Sequence, residues 1–566
     1  MTELKNNSRI KLHFRNESLW HRANNSYALG CAFSTDQLFG AQALSKMFEA
    51  QMSFANFVSL LRQLNGFFSC LRVDRESIFL GVDHLRSLPL FYAVLDKNVF
   101  VSDDAYWIRE QVHDEGVDEL SATEMLLTRS VSGIDTFSPS VKRLQAGEAV
   151  ALRLTSSGVL KESERYYLFG HSEAVEQTFE QLTLRADAAL LAAFRRLAEY
   201  AQGRTVVVPL GGGLDSRLVV LMLKRVGYDN VVSFTYGRPG NKESRISRQV
   251  ASELNIPWHF IPYTNLDWRR WYNSPEWIRY SKFANGLSCT PHLQDWPAVL
   301  ELKKKRLIPD DSVFVPGHTA IMNLENDANI RLLLEWLRMS KIRDDDLASG
   351  LCEVSCTLLD WSRQTATVRS DMCLKIKNVL CSPTTLSSEQ AVEYFDRWIW
   401  EAIPIYPHIN SVRVYEFWGY DWWLPLMDLE FVQFLNTLPF NFRIRRRFHK
   451  AYVRKLEQKI TGKTPVTDTS RRDIAPLIVR ILDKLKLRTV ARRIRARTEY
   501  SRHAYAWYGL ITESVYRRAF HGQENINTYL AYQTIREVFP QWKIPTGLDF
   551  LANTSDAKPS SNTDKE

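Results

Sequence analysis

Val206-Val-Val-Pro-Leu-Gly-Gly-Gly-Leu-Asp-Ser-Arg217 is the stretch on which the reading of this chain turns. An apolar, β-branched run ends in three glycines. An Asp-Ser pair then opens the apolar helical pattern Leu218-Val-Val-Leu-Met-Leu-Lys-Arg225. The pattern predicts a strand, a tight loop and a helix. Glycine lets a backbone turn sharply and bring its N–H groups up to an anion. The N-terminus of the helix that follows adds partial positive charge at the same place. Asp215 suits a divalent cation and Ser216 suits a phosphate oxygen. A nucleotide-phosphate site is therefore favoured over a turn that is merely Gly-rich.

Outward from this loop the chain alternates helix and strand. Residues 181–202 form an Ala/Leu/Arg-rich helical pattern before the loop strand. Asn230-Val-Val-Ser-Phe-Thr-Tyr236 reads as the next strand, 243–254 as a helix and Trp258-His-Phe-Ile-Pro262 as a further strand. Units of this length imply a parallel sheet with right-handed crossovers, and ligands of such sheets bind at the carboxyl ends of the strands. Residues up to about 170 are β-rich instead. Ser77-Ile-Phe-Leu-Gly-Val-Asp83, Leu90-Phe-Tyr-Ala-Val-Leu95 and Asn98-Val-Phe-Val-Ser102 alternate between turn signals, with a hairpin at Asp96 and Lys97. From about 325 the pattern is mainly helical, and Trp398, Trp400, Trp418, Trp422 and Trp423 read as core. The expected class is α/β: a β-rich sandwich over 1–175, a parallel-sheet unit with a helical C-terminal part over 176–550, and a disordered polar tail over 551–566.

The chain has 566 residues, too many for one ordinary core, and its 45% apolar and 24% charged content is that of a soluble globular protein. No apolar run reaches the roughly 18 residues of a membrane span. Met1-Thr-Glu-Leu-Lys-Asn-Asn7 lacks the apolar core of a signal peptide, so a cytoplasmic protein is expected. The seven cysteines are irregularly spaced; Cys352 and Cys356 stand four apart with no evident further zinc ligands, so buried thiols are expected. Net charge is +9, with basic stretches at 443–447 and 487–497. These read as solvated helix faces, or as sites for an anionic substrate, a membrane surface or RNA.

The glycine loop resembles the Ser-Gly-Gly-x-Asp-Ser pyrophosphate loop of the adenylating ATP pyrophosphatases, which include asparagine synthetase. It differs from the Gly-x-x-x-x-Gly-Lys-Ser/Thr loop because no Lys follows the glycines. Gly211 stands where that family has its first Ser. The first 170 residues resemble the class II glutamine amidotransferase domain of asparagine synthetases, in Leu64-Asn-Gly-Phe-Phe-Ser69, Val82-Asp-His-Leu-Arg-Ser-Leu-Pro-Leu-Phe-Tyr92, Val99-Phe-Val-Ser-Asp-Asp104 and Leu144-Gln-Ala-Gly-Glu148. That family uses an N-terminal Cys whose own α-amine is its base. Here residue 2 is Thr, Val82 replaces an Arg and Arg86 a Gly, so the resemblance implies a scaffold without its own glutaminase activity.

Over roughly residues 25 to 460 the order of motifs is that of asparagine synthetase. A closer similarity is to the synthetase-like proteins of bacterial surface-polysaccharide clusters, through Asn285-Gly-Leu-Ser-Cys-Thr-Pro-His-Leu-Gln-Asp-Trp296, Pro316-Gly-His-Thr319 and Glu524-Asn-Ile-Asn-Thr-Tyr529. The resemblance implies ATP and Mg2+ as cofactors, with Leu210, Gly211, Gly212, Gly213, Asp215, Ser216, Tyr236, Pro316 and Gly317 around the nucleotide and Asp215 on the metal. A family Glu is His318 here, a candidate base. A second metal-binding Asp is Ile321, which cannot bind a metal. Trp423-Leu-Pro-Leu-Met-Asp428 and Lys450-Ala-Tyr-Val-Arg454 match further segments, and Lys450 would hold the leaving pyrophosphate. By position, His292, Gln294 and Asp295 line the acceptor pocket. The implied reaction is AMP-forming amide synthesis through an acyl-adenylate. The implied partners are a small carboxylate (aspartate or a sugar acid), ammonia or an amine, a separate glutaminase and a homodimer mate; no nucleic acid and no transmembrane segment are expected. The rival readings are a catalytically inactive homologue that binds nucleotide or a partner, and an RNA-modifying ATP pyrophosphatase, which would lack the thiolating enzymes' cysteines.

Overall fold

The structure is a computed structural model that describes residues 9–170, 177–320, 324–359, 361, 364–402, 408–465, 500–514, 516 and 526–544. Among the described residues eleven strands precede residue 170: β1 (Ile10–His13), β2 (His21–Ala23), β3 (Ser26–Ser34), β4 (Gln37–Gly40), β5 (Leu64–Val73), β6 (Ser77–Val82), β7 (Phe91–Leu95), β8 (Asn98–Ser102), β9 (Lys142–Arg143), β10 (Glu148–Leu154) and β11 (Val159–Arg165). They build one sheet of order β11-β10-β6-β5-β3-β2, with β4 on β3, and a second of order β1-β8-β7-β9.

Alternation along the strands explains how these sheets stack. Leu71, Leu80, Val82, Val150 and Leu152 point from the larger sheet into a core shared with Ile10, Tyr92, Val99 and Val101 of the smaller one. Their neighbours Cys70, Phe79, Ala149 and Ala151 point the other way, onto Leu44, Phe54, Phe57, Val58 and Leu61 of two helices, Ala41–Met47 and Phe54–Leu61. Phe91, Ala93 and Phe100 of the smaller sheet cluster with Ala105, Tyr106 and Ile108 of the helix Ala105–Gln111. The layers are helix, sheet, sheet, helix. Strands buried on both faces carry near-continuous apolar runs, as β5 and β6 do. The hairpin between β7 and β8 turns at Asp96 and Lys97, both left-handed (φ 48° and 66°), the pairing that a type I′ turn requires.

The second architecture is a parallel sheet. Its strands are β12 (Val206–Pro209), β13 (Val231–Gly237), β14 (Trp258–Pro262) and β15 (Val313–Phe314). A two-stranded ribbon, β16 (Ile342–Arg343) with β17 (Thr385–Leu386), lies in the helical part, and β18 (Asp421–Trp422) completes the sheet. The order is β14-β13-β12-β15-β18, every pairing parallel. Val206, Val207 and Val208 are fully buried. The helix Phe179–Ala201 starts at a capping box between Thr178 and Gln181. The chain steps from β12 to β13 and β14 on one side and later to β15 and β18 on the other. The order therefore reverses at β12, and the glycine loop leaves its carboxyl end, where such sheets hold their ligands.

One junction ties the N-terminal sheets to the parallel sheet. Asn65 at the start of β5 donates to Asp428 Oδ1 (3.1 Å) and accepts from the Leu429 N–H (3.0 Å). Arg196 grips both oxygens of the buried Asp428, at 2.8 and 2.7 Å. Phe67 packs on Trp423 (ring centroids 4.7 Å apart). A cavity of about 630 Å3 opens beside this junction, lined by Cys31, Phe67, Arg86, Tyr200, Arg413 and Trp423 among others.

Trp398, Trp400, Trp422 and Trp423 are buried, while Trp418 is only partly buried and packs against the core from outside. All seven cysteines are free; Cys352 Sγ lies 3.7 Å from Cys373 Sγ on the neighbouring helix. Among the described residues no His/Cys/Asp/Glu group is arranged to hold a metal, and no helix is long and apolar enough to cross a membrane. Thr2, Ile321, the basic stretch 487–497 and the tail 551–566 lie outside the described residues.

Candidate functional site

The glycine loop is held by its own helix and by the next one. The Leu210 N–H donates to Phe234 O of β13 (2.8 Å), and Thr235 donates its hydroxyl to Leu210 O. The helix Leu214–Arg225 has Gly213 as N-cap with no side-chain cap, so no capping side chain takes up its first N–H groups. The Gly211 N–H donates to Ser216 Oγ (3.2 Å). The Gly212 N–H donates to the Glu243 carboxylate, carried on the helix Lys242–Glu253. The loop thus already holds an anion, supplied by the chain itself. A Cβ at Gly212 would come within 2.8 Å of that carboxylate.

Gly317 closes the loop from above. A Cβ there would lie 2.4 Å from Ser216 N and 2.8 Å from Ser216 Cα, so only glycine permits the chain after β15 to cross the helix start this closely. The next residue, His318, has Nε2 2.6 Å from Ser411 Oγ. Burial holds its pKa down to about 4 against the pull of Asp295 and Asp215, so its imidazole is neutral at pH 7. Asp295 is buried. Tyr236 and Tyr415 donate their hydroxyls to its two oxygens, and His292 Nε2 lies 3.4 Å away. Burial opposes its ionisation, but His292 and the two tyrosines outweigh that and hold it at about 2. Tyr236 is therefore engaged at its tip, while its ring stacks on Tyr263 (5.1 Å).

Cations approach from the other side. The helix Arg447–Thr461 is preceded by Arg445 and Arg446, both left-handed (φ 52° and 56°). Arg446 donates to Asp215 Oδ1, and His449 Nε2 lies 2.8 Å from the same oxygen. Burial works against ionisation of Asp215, but His449 and Arg446 win and hold the carboxyl at about 2. Burial also lowers the pKa of His449. Lys450 pairs with Glu325 (2.5 Å), which also faces Arg446 (3.7 Å). Arg217 pairs with Glu457 at 3.1 Å, both side chains 2% exposed, and so fixes this helix to the loop helix. The basic stretch 443–447 is accordingly not a solvated face throughout: Arg443 is paired to Asp396 (2.6 Å) and Arg446 turns into the cleft.

Residues 187–279 match the asparagine synthase family model. The matched stretch runs from the Phe179–Ala201 helix through the glycine loop, β13 and β14. It contains Leu210 to Ser216 and Tyr236 but stops short of Pro316, His318 and Lys450. No curated protein sequence matches significantly. Among solved structures, an NH3-dependent NAD synthetase from Campylobacter jejuni aligns at 13% identity and TM-score 0.20, over 36% of this chain and 95% of that one. A glutamine phosphoribosylpyrophosphate amidotransferase from B. subtilis aligns at 11% identity and TM-score 0.19, over 43% of this chain and 72% of that one. At these scores no residue role is transferred from either.

Leu210 to Ser216, Tyr236 and Gly317, expected around a nucleotide, His318, expected as a base, and Asp295, expected in an acceptor pocket, lie together past the carboxyl end of β12. Glu243, Arg446 and His449 were not foreseen from the sequence. The only signal for the last two was the run of arginines just before Lys450. The cradle suits a phosphate chain, because the Gly212 amide already binds a carboxylate. A magnesium ion held by the protein does not fit. Asp215 Oδ1 is occupied by Arg446 and His449, and no cluster of further ligands surrounds it among the described residues.

Proposed function

We propose that this protein binds ATP at Leu210–Ser216 and uses it to form an amide bond, activating a small carboxylate as its adenylate. What supports this most is the crossing of Gly317 over Ser216 at the carboxyl end of β12, beside a loop that matches the asparagine synthase family model. The Gly211–Gly213 amides and Ser216 would cradle the phosphates, with Glu243 giving up the Gly212 amide. Leu210, Tyr236 and Pro316 would flank the nucleoside. A carboxylate oxygen attacks the α-phosphorus and pyrophosphate leaves, its charge met by Lys450 and Arg446. Ammonia or an amine then attacks the acyl carbon, AMP leaves, and neutral His318 accepts the proton released.

In this reading nitrogen does not come from glutamine hydrolysis by this chain. Burial pushes the Cys31 thiol up to about 12 and the Cys70 thiol well above its ordinary value, so neither supplies a thiolate. Asp83 spends its oxygens on the N–H groups of Phe68, Leu85 and Ser87 and on the Ser87 hydroxyl. Asn65 is committed to Asp428 and Leu429. Free ammonia, a separate glutaminase or an amine substrate fills that role. Aspartate and uronic acids are the acceptors to try first.

A second reading is a homologue that binds nucleotide or a partner without turnover. It is favoured by Glu243 on the loop amide and Arg446 on Asp215, both of which fill the cradle. Phosphorus NMR of ATP incubated with ammonium and a panel of carboxylates separates the two. The synthetase reading predicts AMP and pyrophosphate. Bound but unchanged ATP supports the second reading, and ADP with phosphate contradicts the first.

A further inference from the structure

Left-handed backbone at a residue other than glycine is unfavourable and persists only where the surroundings enforce it. Arg446 has that backbone, and its side chain is only 9% exposed. One nitrogen, Nη2, donates to Asp215, and Nη1 lies 3.7 Å from Glu325. Nε is buried without a hydrogen-bond partner among the described residues. A guanidinium does not deprotonate in proteins, so Asp215 faces a permanent cation. A dication on the same carboxylate would sit beside that charge and be repelled. The neighbouring carboxylate, Glu325, is already paired to Lys450 (2.5 Å) and faces Arg446 as well.

We propose that Arg446 is the built-in cation of this site and takes the place of a protein-held magnesium ion. Nη2 stays on Asp215, which acts as a positioning residue, while Nη1, turned from Glu325, and Nε donate to phosphate oxygens. Nucleoside triphosphate binding then needs no divalent cation. This inference rests on the ATP reading above.

The test is titration calorimetry of the whole protein with the α,β-methylene analogue of ATP, which cannot be cleaved at the proposed bond, in EDTA and in magnesium chloride. The wild type should bind in both, with dissociation constants within about tenfold of each other. Arg446→Ala should lose at least about tenfold in EDTA, the size expected for a charge-assisted contact, and regain affinity with magnesium as Asp215 becomes free. Wild-type binding weaker by more than tenfold in EDTA overturns the proposal, as does an Arg446→Ala protein unaffected there. Absence of binding in both media overturns the ATP reading itself, a separate failure. If Arg446→Ala does not keep the wild-type circular dichroism, the two wild-type titrations decide alone.

Discussion

A methyl group at Gly317 would press on the Ser216 backbone, which cannot move without unwinding the start of the loop helix. Gly317→Ala should therefore cost about 1–3 kcal/mol of stability, the usual range for overpacking, and weaken ATP binding together with it. Thermal melts with and without ATP check this, and an unchanged melt would mean that the crossing is looser than described. His318 makes a pH prediction. Its folded pKa of about 4 lies below the 6.5 of an unperturbed histidine. Between those values the unfolded chain binds a proton that the native state does not. Stability should then fall as pH drops from about 6.5 towards 4, by up to about 1.4 kcal/mol per pH unit. His449 shifts in the same direction. Asp215 and Asp295, held at about 2, keep contributing through this window and lose their contribution only at lower pH. Denaturant titrations from pH 7 to 4 should show the slope in wild type and a flatter profile in His318→Gln.

At the scale of elements, the loop helix and the helix Arg447–Thr461 meet through the Arg217–Glu457 pair. Glu457→Ala takes the counter-charge from the buried Arg217, which keeps its bond to Gly212 O, and should destabilise by up to about 3–5 kcal/mol, measurable by urea unfolding. It should also loosen Lys450, about two turns upstream on the same helix, and Arg446, which caps that helix at its start. The elements were legible where their signals are local. The strand 98–102 and the strand 258–262 stand as their alternation predicts. The helix read from residue 181 begins at Phe179, because its capping box lies ahead of the apolar period. What was not legible was contact between distant residues. Arg446 and Asp215 are 231 positions apart, and nothing in Arg445-Arg446 announces a left-handed backbone, since neither is Gly, Asn or Asp. Glu243 was read as part of a helix. Its reach back to Gly212 depends on how β12 and β13 align.

Across the whole molecule, Asp428 binds Asn65 from the first half and Arg196 from the second, and caps the helix Leu429–Asn436. Asp428→Ala should lower stability and split a single calorimetric transition into two; one unchanged transition would show that this junction does not couple the halves. Glutamine should not replace ammonium as nitrogen source, because Asp83 and Asn65 are committed to the fold. Carboxylate activation at the glycine loop should appear as exchange of labelled pyrophosphate into ATP. That exchange should depend on an added carboxylate and fall by at least about tenfold in Lys450→Ala, in keeping with the loss of a charge-assisted contact to the leaving group. No exchange with aspartate or any uronic acid, in a protein that binds ATP, would contradict that activation.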